Sequence, residues 1–382
     1  MRISELIKQL NKKINSSSSI SVKKQNEILQ GLPEPIDDFD RAYYQYYCQK
    51  KAINRWYLIR IRDFISILFL LLYRFLVKLK TREVNCVDNT YERIFVYEGN
   101  NREILPTSLA DGTKIIKIGH SFCADSDIHR IMKELTKRYP TSFYFQLKIF
   151  VKLVNYCYML NSYSPSQIIC SCEYSFTSSI LTLYCEMKGI KHINVMHGEK
   201  IYDIRDAFCR FSEFYVWDEH YIKLFDKLRA NSSRFIIETP PSLVIDMSKK
   251  STQDIAGYKF YLDIENKDRL VKINKAIIKI MAMGYSVKVR PHPIYTNIKL
   301  LHKYIDKSLI EDPAQVPISD SLASSDYVVA RFSTVLYQAY SNNIKTIIDD
   351  YSDVKRYNLL LNEDYIMLEK TNLRLSEIIR ED

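Results

Sequence analysis

From residue 93 onward the chain repeats one phrase, a short run of β-branched and aromatic residues followed by a longer stretch whose apolar positions recur at helical spacing. The runs are RIFVYE (93–98), KIIKIG (114–119), QIICSCE (167–173), HINVMHG (192–198) and EFYVW (213–217), with helices expected at about 127–138, 143–160 and 177–189. Nearly continuous apolar strands alternating with helices predict a parallel sheet, because its strands are covered on both faces. After the TPPS break at 239–242 the phrase restarts: YKFYLD (258–263), a helix at about 267–283, YSVKVRPHP (285–293), a helix near 297–306, DYVVAR (326–331), a helix from Ser333, and KTIIDD (345–350).

The expected fold class is therefore α/β, with two Rossmann-like domains, 86–240 and 241–382, behind a helical extension, 1–85. A length of 382 residues suits two such cores. With a hinge near 240, the carboxyl ends of the two sheets are expected to face one another across a cleft, where open α/β sheets bind ligands. Neither GxGxxG nor GxxxxGK[ST] occurs, which disfavours dinucleotide and P-loop chemistry.

The net charge of +10 invites a nucleic-acid partner, but its distribution argues otherwise. Residues 41–82 hold ten Lys or Arg against the single acid Asp63, and the rest of the chain is near neutral. The same segment carries WYLIRIRDFISILFLLLYRFLVKLK, whose uncharged stretch from Phe64 to Tyr73 is about half of the roughly 20 residues a span needs. Apolar residues flanked by Arg60, Arg62, Arg74, Lys78 and Lys80, with Trp56, Tyr57 and Tyr73 at the edges, are the makeup of a helix lying on an anionic membrane surface. A core helix whose charged tips reach solvent is the competing reading. No recognition helix or RNP motif is present, so no nucleic-acid partner is expected. The start, MRISELIKQLNKK, lacks the apolar centre of a secretory signal, and the eight cysteines include no CxxC pair. The expected location is cytoplasmic, peripheral on the inner face of the cell membrane.

Three constellations fall where strands should end. Arg290, Pro291, His292 and Pro293 follow YSVKV, pinning a histidine at a strand tip between two stiff residues. That histidine can donate to a leaving phosphate, and Arg290 can pair with a phosphate or carboxylate. Arg331, Phe332, Ser333 and Thr334 follow DYVVA and open a helix, where hydroxyls and free N–H groups suit an anion. His197, Gly198 and Glu199 end HINVM, and Glu173 ends QIICSC, so either acid could take the proton of an acceptor hydroxyl. His197 suits phosphate or sugar better than metal, because no second ligand lies nearby. Asp125, Ser126 and Asp127 form a DxD that helix capping explains, although Asp125 remains a further candidate base.

The VMHG loop, the RPHP turn and the Ser333–Thr334 helix start together resemble bacterial capsule and lipopolysaccharide glycosyltransferases of the GT-B fold, over roughly 165–350. The groups most resembled are the sialyl- and polysialyltransferases using CMP-sialic acid, the capsular Kdo transferases and the CDP-glycerol-type transferases. The resemblance implies that His292, Pro293, Ser333 and Thr334 hold the cytidine nucleotide and its phosphate. It also implies a carboxylate base in the first domain, within an acidic-acidic-Gly motif that this sequence lacks. Glu199, Glu173 and Asp125 thus stay open as the base, with Glu199 slightly preferred. The implied reaction moves a sugar, sialic acid or a related ulosonic acid from its CMP form, onto a glycan or lipid-linked acceptor, without metal or cofactor. A CDP-polyol phosphotransferase, with Arg205, Arg210, Arg290 and Arg331 supplying charge, and a non-catalytic capsule-assembly scaffold are the alternatives.

Overall fold

The computed structural model describes residues 20–53, 56–80, 90–96, 102–117, 123–249 and 256–380. The charged start, most of the serine run at 16–21, the expected boundary at 85/86 and the tips of the first two expected strands lie outside the described residues. The chain forms two compact units, Met1–His197 with Asp203–Pro240, and Gly198–Tyr202 with Pro241–Asp382.

The first unit holds a parallel sheet in the order β2-β1-β3-β4-β5-β6. Its strands are β1 (Arg93–Val96), β2 (Thr113–Ile116), β3 (Gln167–Cys170), β4 (Lys191–Val195), β5 (Arg210–Val216) and β6 (Asn231–Ile237). Ile94 of β1 stands opposite Ile168 of β3, which stands opposite His192 of β4. The edge strand β6 was not expected from the sequence, because it begins with Asn231, Ser232 and Ser233 and is mostly exposed or half-exposed.

Among the described residues, three N-terminal helices belong to this unit: α1 (Val22–Gln30), α2 (Asp38–Ala52) and α3 (Trp56–Lys80). The helices that follow are α4 (Ser126–Arg138), α5 (Phe143–Tyr163), α6 (Ser178–Met187) and α7 (Glu219–Lys227). α5 buries residues around most of its circumference, from Tyr144 and Phe145 to Met159 and Leu160, since α3, α4 and α6 all pack on it. α3 turns Ile59, Ser66 and Leu70 inward and leaves Ile61, Phe64, Leu68, Leu71, Leu72 and Phe75 exposed. No helix among the described residues is long and apolar enough to cross a membrane.

The second unit is a parallel sheet in the order β10-β9-β7-β8. It comprises β7 (Ala256–Tyr261), β8 (Val287–Arg290), β9 (Ser325–Ala330) and β10 (Lys345–Ile348), with α8 (Lys267–Ala282) after β7 and α9 (Thr334–Ser341) after β9. Successive strands run from β7 outward to β8, then cross back to β9 on the other side. The crevice between the carboxyl ends of β7 and β9 is therefore the switch point, where such sheets bind ligands. The helix expected near 297–306 is confined to Ile298–Leu301, after which the chain turns through Asp306. Both units are thus doubly wound α/β structures with helices ahead of the first, the fold class the sequence predicts.

Candidate functional site

At the carboxyl edge of the second sheet the chain leaves β8 through His292. Nδ1 of its ring accepts the backbone N–H groups of Ile294 at 3.1 Å and Tyr295 at 3.2 Å. A nitrogen that accepts two hydrogen bonds carries no proton, so the neutral ring keeps its hydrogen on Nε2. Burial lowers the pKa of His292 and the Asp263 carboxylate opposes this, leaving it below its ordinary value. The ring of Tyr295, 4.5 Å away centroid to centroid, packs against the imidazole. Pro293 beside it is exposed.

A short relay joins this turn to the switch point. The His292 N–H donates to Oγ1 of Thr296 at 2.8 Å, and the Thr296 hydroxyl donates to the Asp263 carbonyl at 2.8 Å. Oδ2 of Asp263 in turn accepts from Nη2 of Arg331 at 2.7 Å. Burial pushes the Asp263 carboxyl up, but Arg331 and Arg269 pull it further down, so it stays ionised. Arg331 also reaches Asp353 at 2.5 Å, and both of its pairs are internal to the unit. Just after it, Ser333 caps α9 by accepting from the Val335 N–H at 3.3 Å, and the half-buried Thr334 opens the helix. His292 and Ser333 thus lie at the same edge of one sheet, on opposite sides of β7.

Glu265 and Glu199 of the second unit both hold their protons more tightly than an ordinary carboxyl. Burial pushes Glu265 up to about 7; it sits two residues after Asp263 and takes that residue's N–H at 2.6 Å. Glu199 is half-buried as a residue, yet both of its carboxylate oxygens are shut from solvent and lack a hydrogen-bond partner among the described residues. Burial drives its pKa up to about 8. Its segment, Gly198–Tyr202, belongs to the second unit, where the Tyr202 N–H donates to the Glu363 carbonyl at 2.6 Å. Glu199 also acts on Tyr365, whose acidity burial and then the Glu199 charge suppress. The Tyr365 ring lies 5.1 Å from that of Phe332, the residue before the α9 cap. A Cβ on Gly198 would meet no atom within 4 Å.

The first unit gathers a second group at its own carboxyl edge. Nδ1 of His197 lies 2.8 Å from the Ser171 hydroxyl and 3.3 Å from Oε1 of the fully buried Glu173. The Asn194 amide donates to the other Glu173 oxygen at 3.2 Å. Asp125 stands elsewhere in this unit. It caps α4 through the Ile128 N–H at 2.9 Å, accepts from the Tyr184 hydroxyl at 2.9 Å and pairs with Lys188 at 2.8 Å.

The four arginines considered as free phosphate ligands are all paired. Arg205 pairs with Asp203, Arg210 with Asp38 and Glu186, Arg290 with Glu311 at 2.6 Å, and Arg331 as described. Asp263, Glu265, Thr296 and Tyr365 were not singled out by the sequence. Only the position of Asp263 and Glu265 just past β7 could have drawn attention to them.

No protein-family model and no curated protein matches the chain. Among solved structures, it is similar to the wall teichoic acid polymerase TagF at 11% identity and TM-score 0.43, over 84% of this chain and 88% of that one. A UDP-glucose: anthocyanidin 3-O-glucosyltransferase in complex with UDP gives 10% identity and 0.36, over 68% and 81%. A UDP-N-acetylglucosamine 2-epimerase from Rickettsia bellii gives 11% and 0.41, over 67% and 78%. Likenesses of this size set no donor, acceptor or reaction for the chain.

Proposed function

We propose that the chain is a glycosyltransferase that takes a cytidine-activated donor and works at an anionic membrane surface. The observation that carries this reading is the state of His292: a neutral ring, fixed by two backbone N–H groups, whose Nε2–H is the donor hydrogen at the edge that also holds the α9 N-terminus. A donor held in place before reaction stabilises charge that develops on a leaving phosphate, at little cost in reorganisation. Ser333 and Thr334 supply hydroxyls and N–H groups for the same anion. Glu199 is the base of this scheme, since a carboxyl near pKa 8 holds a proton more strongly than an ordinary one once it has released its own. The donor is a CMP-linked sugar, sialic acid or a related ulosonic acid, and the acceptor a glycan or lipid-linked hydroxyl. The internal pairing of Arg205, Arg210, Arg290 and Arg331 favours this over a CDP-polyol phosphotransferase, which would need free positive charge. The enzyme sits on the inner face of the cell membrane through residues 41–82. Incubation of the full chain with CMP-sialic acid, CMP-Kdo and CDP-glycerol in separate reactions tests the donor. CMP release from either CMP-sugar supports the proposal, and turnover of CDP-glycerol alone overturns the donor assignment.

A further inference from the structure

The turn from His292 to Thr296 is closed by its own first and last residues. Pro293 has no N–H, and the other four backbone donors all find acceptors inside the turn. The His292 N–H donates to Oγ1 of Thr296 at 2.8 Å, and the Thr296 N–H returns to the His292 carbonyl at 3.3 Å. Ile294 and Tyr295 donate to Nδ1 of the His292 ring at 3.1 and 3.2 Å. The three residues between are exposed, Ile294 at 78% and Tyr295 at 58%, so packing against the body of the unit does little to hold the turn. Its hydrogen bonds set its shape.

Thr296 also reaches outward. A hydroxyl has one hydrogen to give, and two acceptors lie near it: the Asp263 carbonyl at 2.8 Å and Oε2 of Glu265 at 3.5 Å. The shorter contact takes the hydrogen, which ties the turn to the segment that leaves β7. Asp263 in turn holds Nη2 of Arg331 at 2.7 Å, two residues ahead of the α9 cap Ser333. The Thr296 oxygen therefore accepts from the histidine's own backbone on one side and binds the switch-point segment on the other.

We propose that Thr296 is a positioning residue, whose hydroxyl fixes where the Nε2–H of His292 points relative to the N-terminus of α9. The role rests on the donor-site reading of this edge given above. Without the hydroxyl, the His292 N–H loses its acceptor and Asp263 loses a donor. The turn then opens from β7, and the two N–H groups that hold Nδ1 lose their alignment. A shift of even about 1 Å in such a donor is enough to impair its work on a bound group.

The test compares the full-length wild type with Thr296→Val, which keeps the shape and removes the hydroxyl, and Thr296→Ser, which keeps the hydroxyl. The first readout is the ¹⁵N spectrum of histidine-labelled protein without nucleotide, in which the ring signals missing from His292→Gln identify His292. Thr296→Val is expected to move the His292 ring from the Nε2–H form towards a mixture with the Nδ1–H form, and Thr296→Ser to restore the wild-type signals. The second readout is calorimetric titration with CMP, which Thr296→Val should weaken about tenfold and Thr296→Ser leave near wild type. Unchanged His292 ring signals in Thr296→Val overturn the role of Thr296, whatever CMP does. Equal changes in the Val and Ser variants also overturn it, since the hydroxyl would then not be the working group. A wild type that binds no CMP contradicts the donor-site reading instead, and with it the use of this positioning, even where the ring signals move.

Discussion

The backbone N–H of Tyr295 donates to Nδ1 of His292 at 3.2 Å, and with the like bond from Ile294 it decides which ring nitrogen bears the proton. The second unit thereby presents a neutral donor whose orientation comes from its own turn, independent of any ligand. His292→Ala is expected to cut kcat by about 10² to 10³, the usual loss on removing one preorganised donor, with the far-ultraviolet circular dichroism spectrum unchanged. His292→Gln, which can place an amide N–H near the Nε2 position, should retain more turnover than His292→Asn. Equal loss in both would show that Nε2–H is not the working atom.

Glu199 makes stability depend on pH in the sense opposite to an ordinary paired carboxylate. Unfolded, it releases its proton near pH 4.3; folded, near about 8. Between those values the native state holds a proton that the unfolded state has lost, so stability falls as pH rises, by up to about 1.4 kcal/mol per unit. Above about pH 8 this contribution is flat. Urea unfolding from pH 5 to pH 9 should show a shallower decline in Glu199→Gln than in wild type, and Glu265, raised to about 7, contributes a slope of the same sign in both. Identical pH profiles would mean that Glu199 is ionised in the folded protein.

Asp125 makes the contrasting prediction. Its carboxylate is fully engaged as the α4 cap and as a partner of Tyr184 and Lys188. Asp125→Ala should cost about 1 kcal/mol of stability through the lost cap, while kcat per folded molecule stays at the wild-type level. A large kcat loss at unchanged stability would return Asp125 to the list of bases.

The repeating strand and helix phrase was legible because periodicity is local: every expected run from Arg93 to Ile348 became a parallel strand. β6 escaped notice because an edge strand opening with Asn231, Ser232 and Ser233 has no buried apolar run to mark it. The turn at His292 and the cap at Ser333 were legible for the same local reason. The partners that neutralise Arg331 and Arg290 were not. Arg331 meets Asp263 across 68 residues of chain and Arg290 meets Glu311 across 21, distances over which a one-dimensional pattern carries no pairing signal. The perturbation of Glu199 was equally hidden, since it arises from the absence of partners in a folded environment.

Cytidine nucleotide binding probes the account at its centre, because it needs only the second unit's edge and no knowledge of the acceptor. Calorimetric titration of the full chain with CMP should give saturable binding that His292→Ala weakens about tenfold or more, with UMP clearly weaker than CMP. Absence of CMP binding, or CMP binding that His292→Ala leaves untouched, would contradict the assignment of this edge as the donor site.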